Sequence, residues 1–147
     1  MHTAQNKPNA AVSVLIADAD KYLLVRRCNP PNAGKLALPG GKIEFGEPAK
    51  DAACRELLEE TGIHAHNLGL INAVDSFEYD QDGLQRHFII LVYFCRWHTG
   101  IAKAADDACE LVWLSWPEIE HNTKICQEVI DCIAQANLLQ TSRLDLP

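Results

Sequence analysis

The sequence predicts a mixed α/β (α+β) fold in which helices sandwich a mixed β-sheet. Apolar residues alternate at Val12, Val14 and Ile16, which indicates a strand, and residues 88–95 form an apolar run of strand length. Between them, residues 48–61 are rich in Ala, Leu and Glu, which indicates a helix. Because strands precede and follow this helix, the element order favours helices packed against a sheet.

The N-terminal part predicts three strands joined by turns. Residues 18–21 are turn formers and separate the first strand from a second one at residues 22–25. A loop containing Pro, Asn and Gly follows at residues 28–34, and a short strand at residues 36–38 comes next. We expect this strand to stop at residues 39–41, because the glycines there allow sharp backbone turns.

The first helix is the clearest element of the sequence. Pro48 suits a first helical turn, and Gly62 suits a helix stop. Beyond it the pattern predicts a long hairpin, a last strand, and a final amphipathic helix capped by Asn122; the last ten residues are expected to fray. The expected segments are residues 70–77 and 86–97 for the hairpin strands, 80–83 for their turn, 111–115 for the last strand and 123–136 for the final helix.

Length and charge limit the function classes. At 147 residues the chain is expected to form one domain that spans residues 1–147. Thirteen basic and 20 acidic residues give a net charge of −7 without any basic block, so duplex nucleic acid is not an expected partner. The longest apolar run is far shorter than the roughly 20 residues that cross a membrane, so no membrane partner is expected either. A small phosphate ester fits if a bound metal or a local cation reverses the field of the pocket.

Cysteine use and the N-terminus predict a cytoplasmic location. Residues 1–10 lack the charged, apolar and small-residue order of a signal peptide. The six cysteines include no Cys-x-x-Cys pair, and several lie within apolar runs, which is typical of reduced buried thiols. His64 and His66 have no Cys or His partner at zinc-like spacing, so we expect them in an exposed linker without chemistry.

Three carboxylates share one face of the predicted first helix. Glu56, Glu59 and Glu60 stand at i, i+3 and i+4, which places them together at 3.6 residues per turn. Like charges so placed repel by about 0.2–0.5 kcal/mol per pair, and a divalent cation would remove that cost. Carboxylate oxygens are ligands that Mg²⁺ prefers. Taken alone, the stripe is also typical of an ordinary solvated helix face.

The surrounding residues favour the metal-binding interpretation. They match the 23-residue Nudix signature at every specified position, and the chain therefore resembles the Nudix hydrolases. Chance agreement at seven fixed positions is expected on the order of once in 10⁷ to 10⁸ start positions. The matching residues are Gly41, Glu47, Arg55, Glu56, Leu57, Glu59, Glu60, Gly62 and Ile63.

The resemblance implies a divalent metal site. By similarity, Glu56, Glu59 and Glu60 would hold Mg²⁺, or Mn²⁺ in its place, and the Gly40 carbonyl would be a further ligand. The implied reaction is the hydrolysis of a pyrophosphate bond in a nucleoside diphosphate linked to another group. Such chemistry depends on charge neutralisation and alignment more than on covalent catalysis.

The resemblance also implies roles for residues around the metal. Glu47 and Arg55 would fix the geometry between the loop and the helix, since an Arg can hold a carboxylate bidentately. The general base stays open, because Nudix families use either a motif glutamate or an acid in a downstream loop. Among the downstream acids our order is Asp107, then Asp106, then Glu110.

The substrate is less constrained than the chemistry. Residues 34–63 resemble the bacterial branch that hydrolyses 8-oxo-dGTP, so a canonical or oxidised nucleoside triphosphate is the leading prediction. Arg27 is a candidate phosphate contact, an exposed strand-end arginine being the alternative. Phe77 and His87 are candidate base contacts, with sheet packing as the alternative, and Asn122 either reads a base edge or caps a helix.

Other substrates and functions stay open at this point. The Nudix subfamily associated with ADP-ribose carries a proline a short distance past the motif. In this chain no proline lies between Pro48 and Pro117, which makes ADP-ribose a weaker expectation than a nucleoside triphosphate. Tyr79 lies close to a tyrosine of dinucleoside polyphosphate hydrolases. A non-catalytic nucleotide sensor and a scaffolding domain are the alternatives to an enzyme. The expected partner is a small nucleotide, and related folds often form homodimers.

Overall fold

The computed structural model describes residues 6–30 and 33–141 of the chain. Groups of strands precede and follow the first helix, as predicted, and two helices end the described part of the chain. The strands are β1 (Asn9–Asp18), β2 (Lys21–Arg27), β3 (Leu36–Ala37), β4 (Gly40–Lys42), β5 (His64–His66), β6 (Gly69–Asp80), β7 (Gly83–Cys95), β8 (Trp97–Thr99) and β9 (Ala108–Ser115). The helices are α1 (Ala49–Thr61), α2 (Trp116–Ile119) and α3 (Gln127–Thr141).

A seven-stranded mixed sheet organises the fold. Its main order is β3-β2-β1-β7-β6, with β4 paired to β1 and β9 paired to β2. The β1 and β7 strands are parallel, and the other pairs are antiparallel. The prediction of a mixed sheet is therefore confirmed. Because β1 pairs with β2 only at its C-terminal end, β4 can pair with the N-terminal part of β1.

Helices pack against both faces of the sheet, as predicted. Val12, Val14 and Ile16 of β1 pack against α1 through Ala52, Ala53 and Leu57. The intervening residues Leu15 and Ala17 face the opposite core, which includes residues of α2 and α3. This division follows from the alternation of side chains along a strand. Since β1 is buried on both faces, its backbone is a fixed support for β4.

The ends of α1 fall where the sequence predicts them. Pro48 precedes the helix in an extended conformation, and Gly62 ends it with a φ of 72° in the left-handed region. The buried Thr61 hydroxyl donates to the Leu57 carbonyl at 2.6 Å and accepts from the Ile63 amide at 3.2 Å. These contacts satisfy polar groups at a buried helix end. They also fix the helix that carries the three glutamates.

Local details of the secondary structure differ from the prediction. The strand at residues 36–38 does end before Gly40, but Gly40–Lys42 form a further strand, β4, which was not predicted, because β1 offers it a partner. The helix α3 begins at Gln127, and Asn122 instead accepts from the Lys124 amide at 2.9 Å, so it does not cap that helix. The short helix α2 was not predicted, although Ser115 and Glu118 form its capping box.

The region after α1 also differs from prediction. The His64–His66 segment is a strand that pairs with β8, not a linker, although both histidines are exposed as expected. The long apolar strand ends at Cys95, and β8 follows as a separate element. Residues 138–141 are helical, whereas residues 142–147 of the segment expected to fray lie outside the described residues.

The cysteine prediction holds for only part of the set. Cys95 and Cys132 are buried and lie outside the disulfide, as predicted for reduced thiols. Cys28 and Cys109 instead form a disulfide across 81 residues of sequence. No local pattern signals this pair, because β2 and β9 come together only through the fold. Across residues 6–30 and 33–141, no helix is both long and apolar enough to cross a membrane.

Candidate active site

Two glycines of β4 face the acidic surface of α1. An added Cβ at Gly41 would lie 2.5 Å from Glu56 Cδ and 2.6 Å from each Glu56 carboxylate oxygen. The Glu56 carboxylate therefore lies in the space that a side chain at Gly41 would occupy. The Gly40 amide donates to Glu60 Oε2 at 3.4 Å. A strand and a helix adjacent in sequence thus bring two of the predicted carboxylates against one short stretch of backbone.

Arg55 ties the acidic face to the preceding loop. Its Nε and Nη2 donate to the two oxygens of Glu47 at 2.7 and 2.9 Å, and Nη2 also donates to the Lys42 carbonyl at 3.1 Å. Its Nη1 contacts Glu56 at 2.9 Å and Glu59 at 3.4 Å. The bidentate pair with Arg55 lowers the pKa of Glu47 to about 2 and raises that of Arg55. The predicted positioning roles of Glu47 and Arg55 agree with these contacts.

Replacing Arg55 with Lys tests this network. A lysine cannot hold Glu47 bidentately while reaching Lys42 and the helix glutamates, so we expect the free energy of unfolding to fall by about 1–3 kcal/mol. Urea denaturation would measure the loss. The matched control is Arg86→Lys, because Arg86 makes an exposed, single 3.6 Å pair with Glu78 and should change by less than about 0.5 kcal/mol. Equal losses in both variants would contradict the assigned network.

Glu60 occupies an unusual electrostatic environment. Burial is the main reason why its pKa rises from 4.5 to about 7, and the charge of Glu56 adds to the increase. The Gly40 amide and the Arg27 charge oppose this shift, whereas Asp107 reinforces it. A group that holds its proton near neutral pH beside another carboxylate is a feature of sites that bind cations or transfer protons.

The raised pKa of Glu60 predicts a stability change with pH. Between pH 4.5 and 7 the folded metal-free protein retains a proton that the unfolded chain has released, so the free energy of unfolding falls as pH rises through this window. We expect a loss of about 1–3 kcal/mol, measured by denaturation in EDTA. Glu60→Gln should remove this part of the slope. A variant with the same slope as the unmodified chain would show that Glu60 titrates normally.

The donor set fits a hard divalent cation in chemistry. Three carboxylates on one helix face, two of them against β4, are oxygen donors of the kind Mg²⁺ takes. Within residues 6–30 and 33–141, however, no three Asp, Glu, His or Cys side chains are already arranged around one point. Part of the reason why the glutamates do not converge on one point is Arg55, because its Nη1 contacts the carboxylates of both Glu56 and Glu59.

The predicted phosphate contact and the first-ranked downstream acid lie together. Arg27 Nη2 lies 2.8 Å from Asp107 Oδ2, and Asn29 Nδ2 donates to Asp107 Oδ1 at 2.7 Å. The charges of both Arg27 and Asp107 act on Glu60, which places this pair beside the acidic face. The Arg27 Nε is buried and has no hydrogen-bond partner in the described part of the chain.

The other two downstream acids are placed differently. Asp106 is exposed in a turn, with a positive φ of 53°. Glu110 is also exposed, and it pairs with Arg26 at 3.4 Å. Neither residue appears among the charges that shift the pKa of Glu60. The structure therefore brings Asp107, of the three candidates, to the acidic face.

A cavity of about 750 Å³ lies beside Arg27 and the β4 glycines, whereas Glu56, Glu59, Glu60 and Asp107 are not part of its lining. Arg27, Gly40, Gly41 and Phe77 line it, so it joins the phosphate candidate to the β4 glycines. His87 is not part of the lining; its Nε2 lies 2.8 Å from Asp75 Oδ1, and its ring lies 4.6 Å from that of Phe77. Asn122 is not part of the lining either, although the next residue, Thr123, is.

Several lining residues were missed by the sequence analysis. Leu36 forms a parallel bridge with Ile125, and its amide donates to the Lys124 carbonyl at 3.0 Å. This pairing brings β3 next to the segment before α3, about 90 residues further along the chain. No local pattern could have revealed it. The missed lining residues include Lys35, Thr123, Lys124, Cys126 and Glu128.

A mixed sheet between helices, with an acidic helix face set against a glycine strand, defines an α+β domain whose oxygen donors suit a divalent cation. The chain belongs to the Nudix family: the NUDIX domain model matches residues 7–133. The MutT NUDIX hydrolase of Burkholderia pseudomallei has a similar structure, with a TM-score of 0.78 and 26% identity over 88% of this chain and 98% of that one.

Two curated relatives carry different substrate names. An ADP-ribose pyrophosphatase of Methanocaldococcus jannaschii is 39% identical over 103 residues, which are 70% of this chain and 59% of the relative. The 8-oxo-dGTP diphosphatase of Escherichia coli is 36% identical over 70 residues, which are 47% of this chain and 54% of the relative. The chain matches less than two thirds of the length of either protein.

Proposed function

We propose that the protein hydrolyses, with Mg²⁺, a pyrophosphate bond in a nucleoside diphosphate linked to another group. The observation that carries this proposal is the position of the Glu56 and Glu60 carboxylates against Gly41 and Gly40, since these two glycines also line a cavity of about 750 Å³. The cavity has the size of a small-molecule site. Both curated relatives are named for nucleotides of this class, which supports the same chemistry here.

The proposed metal ligands are Glu56, Glu59, Glu60 and the Gly40 carbonyl. When bound, Mg²⁺, or Mn²⁺ in its place, would neutralise phosphate charge and make water a better nucleophile. Arg55 would hold Glu56 and Glu59 in position, since it already contacts both. The raised pKa of Glu60 means that cation binding would release a proton near neutral pH.

Arg27 and Asp107 have linked roles in this proposal. They pair with each other at 2.8 Å, so a phosphate that binds Arg27 competes with Asp107 for the guanidinium. Asp107 would then be free to accept a proton from the attacking water, still oriented by Asn29. A motif glutamate is the alternative base, and a comparison of the pH–rate profiles of Asp107→Asn and Glu60→Gln separates the two.

Two substrate classes deserve direct comparison. A nucleoside triphosphate, canonical or oxidised, is supported by the 36% identity to the 8-oxo-dGTP diphosphatase. ADP-ribose is supported by the 39% identity over a longer stretch to the ADP-ribose pyrophosphatase. In either case we propose that Phe77, half exposed at the cavity, stacks on the base, with His87 orienting its ring. For Asn122 we propose a base contact as an additional role, since its side chain already accepts a hydrogen bond from the Lys124 amide.

The test is a substrate panel with identified products. The protein would be incubated with canonical and oxidised nucleoside triphosphates, ADP-ribose and dinucleoside polyphosphates, with Mg²⁺ or EDTA, and products separated by chromatography. We expect Mg²⁺-dependent release of a nucleoside monophosphate, with the highest kcat/KM identifying the substrate class. Tight binding without turnover would favour a nucleotide sensor. No shift of Tm with Mg²⁺ and nucleotide would favour a scaffolding domain.

A further inference from the structure

The Cys28–Cys109 disulfide is attached directly to the residues that face the site. Cys28 follows Arg27, the last residue of β2, and Cys109 lies two positions after Asp107, at the start of β9. The two Cα atoms are 5.2 Å apart, a separation typical of a disulfide. The bond therefore links the segment that carries Arg27 to the segment that carries Asp107.

The other contacts between these two segments are non-covalent, and they include the Arg27–Asp107 ion pair and the backbone pairing of Arg27 with Ala108. The Cys28 amide donates to the Asp107 carbonyl at 3.1 Å, and Asn29 contacts the Asp107 side chain. The β2–β9 ladder shifts register between Arg26 and Arg27, at the same end of the sheet. A register shift interrupts the regular backbone pairing that would otherwise fix the strand ends. The disulfide is thus a covalent restraint next to the point where the regular backbone pairing of β2 and β9 is interrupted.

The bond is accessible to a thiol reagent. Cys109 is exposed and Cys28 is half-buried, whereas Cys95 and Cys132 are buried in the cores. Accessibility of one sulfur is the requirement for thiol–disulfide exchange. The sulfur of Cys109 is therefore the expected point of attack.

We propose that Cys28 and Cys109 form a reversible thiol–disulfide site that controls the placement of the Arg27–Asp107 pair, with a dithiol as its reductant. One thiolate of the dithiol attacks Cys109 Sγ, the Cys28–Cys109 bond breaks, and Cys28 leaves as a thiolate and takes a proton. The second thiolate of the dithiol attacks the mixed disulfide and releases Cys109, which is also protonated. The dithiol loses two electrons and two protons, and the protein gains them.

Reduction has a predictable effect on the site. Without the bond, Arg27 and Asp107 are held by hydrogen bonds and an exposed ion pair, which are weak restraints at a strand end. The segments that carry Arg27 and Asp107 then separate more often by local unfolding. The two side chains are therefore held less firmly beside Glu60. The effect on turnover rests on the proposed function, but the effect on backbone opening does not.

The experiment compares the oxidised full-length chain with the same chain treated with dithiothreitol. Thiol titration in denaturant should find four thiols before treatment and six after it, because four of the six cysteines lie outside the disulfide. Hydrogen exchange should accelerate at least about threefold in residues 27–30 and 105–110. The kcat/KM of the best panel nucleotide should fall at least about threefold, and reoxidation should restore it.

Variants separate this site from the other thiols. Cys28→Ser/Cys109→Ser should resemble the reduced protein with or without dithiothreitol. The matched control is Cys54→Ser, which removes an exposed free cysteine of α1 and should keep the full redox response. If the double variant fails to fold, the reduced wild-type chain supplies the same comparison.

Several outcomes would overturn the proposal. They are six thiols before reduction, unchanged exchange in both segments after it, or a redox response that survives in the double variant. Suppose that no nucleotide of the panel is hydrolysed but that hydrogen exchange in residues 27–30 and 105–110 still changes on reduction. This result would reject the proposed function and keep the thiol–disulfide site. Turnover and exchange that are both the same before and after reduction would reject the thiol–disulfide site and keep the proposed function.

Discussion

Glu59→Gln is expected to lower kcat about 10³-fold for any nucleotide that the protein hydrolyses. The substitution keeps the size of the side chain and removes the charge that would face the cation and the phosphates. Charge stabilisation by a metal site contributes several kcal/mol to the transition state, and about 4 kcal/mol corresponds to this factor. Steady-state kinetics at saturating Mg²⁺ and at several Mg²⁺ concentrations would measure it.

The fold should tolerate this substitution. Glu59 is 45% exposed and makes a single 3.4 Å contact, to Arg55, so its loss should change the free energy of unfolding by less than about 1 kcal/mol. Asp51→Asn is the matched control, because Asp51 is an exposed acid in the first turn of the same helix, about two turns before Glu59. It should retain wild-type kcat. Equal activity losses in the two variants would mean that helix charge in general, not the position of Glu59, affects the rate.

The helix and its acidic face could be predicted because their signals are local. A run rich in Ala, Leu and Glu and a Gly62 stop are read from consecutive residues, and α1 ends at Thr61 as expected. The i, i+3, i+4 spacing placed Glu56, Glu59 and Glu60 on one face without any tertiary information. The pattern could not show which backbone segment these carboxylates face, because that depends on the pairing of β4 with β1.

The start of α3 shows why a local signal can mislead. Asn122 is a good N-cap residue, but its side chain closes a turn onto the Lys124 amide before the helix begins. Ile125, which lies between this turn and the helix, instead pairs with Leu36 of β3, and both residues line the cavity. A tertiary contact therefore delays the helix to Gln127. The same contact brings Lys35 and Lys124 to the cavity lining.

The disulfide and the Arg27–Asp107 pair were beyond sequence reasoning for a similar reason. The residues involved lie about 80 positions apart, and they meet because β9 pairs with β2 in an antiparallel register. Arg27 and Asp107 were each predicted from their place in the chain, but their contact with each other was not. This contact matters for mechanism, since it makes the phosphate ligand and the candidate base compete.

Gly41→Ala is expected to lower kcat about 10²-fold while the protein stays folded. The new Cβ would lie 2.5 Å from Glu56 Cδ, whereas ordinary contacts begin at 3.4 Å, so the carboxylate must move by roughly 1 Å. Displacements of that size in a catalytic group cost about 10²-fold in rate. The end of a glutamate side chain can move at little cost, so the free energy of unfolding should fall by only about 1 kcal/mol. Kinetics and urea denaturation of the same sample would test both parts.

Gly40→Ala, one residue earlier, should show the opposite pattern. Its Cβ would overlap the Val12 carbonyl oxygen and approach Ser13 Cα to 2.9 Å, and both atoms belong to the backbone of the buried strand β1. Backbone held on both faces cannot yield as a side chain can, so we expect a loss of about 3 kcal/mol or more in stability.

A double-mutant cycle completes the argument for Gly41: in a Glu56→Gln background, Gly41→Ala should cost much less than 10²-fold, because the group that it displaces has already lost its charge. An undiminished cost in that background would mean that Gly41 acts through something other than the Glu56 carboxylate.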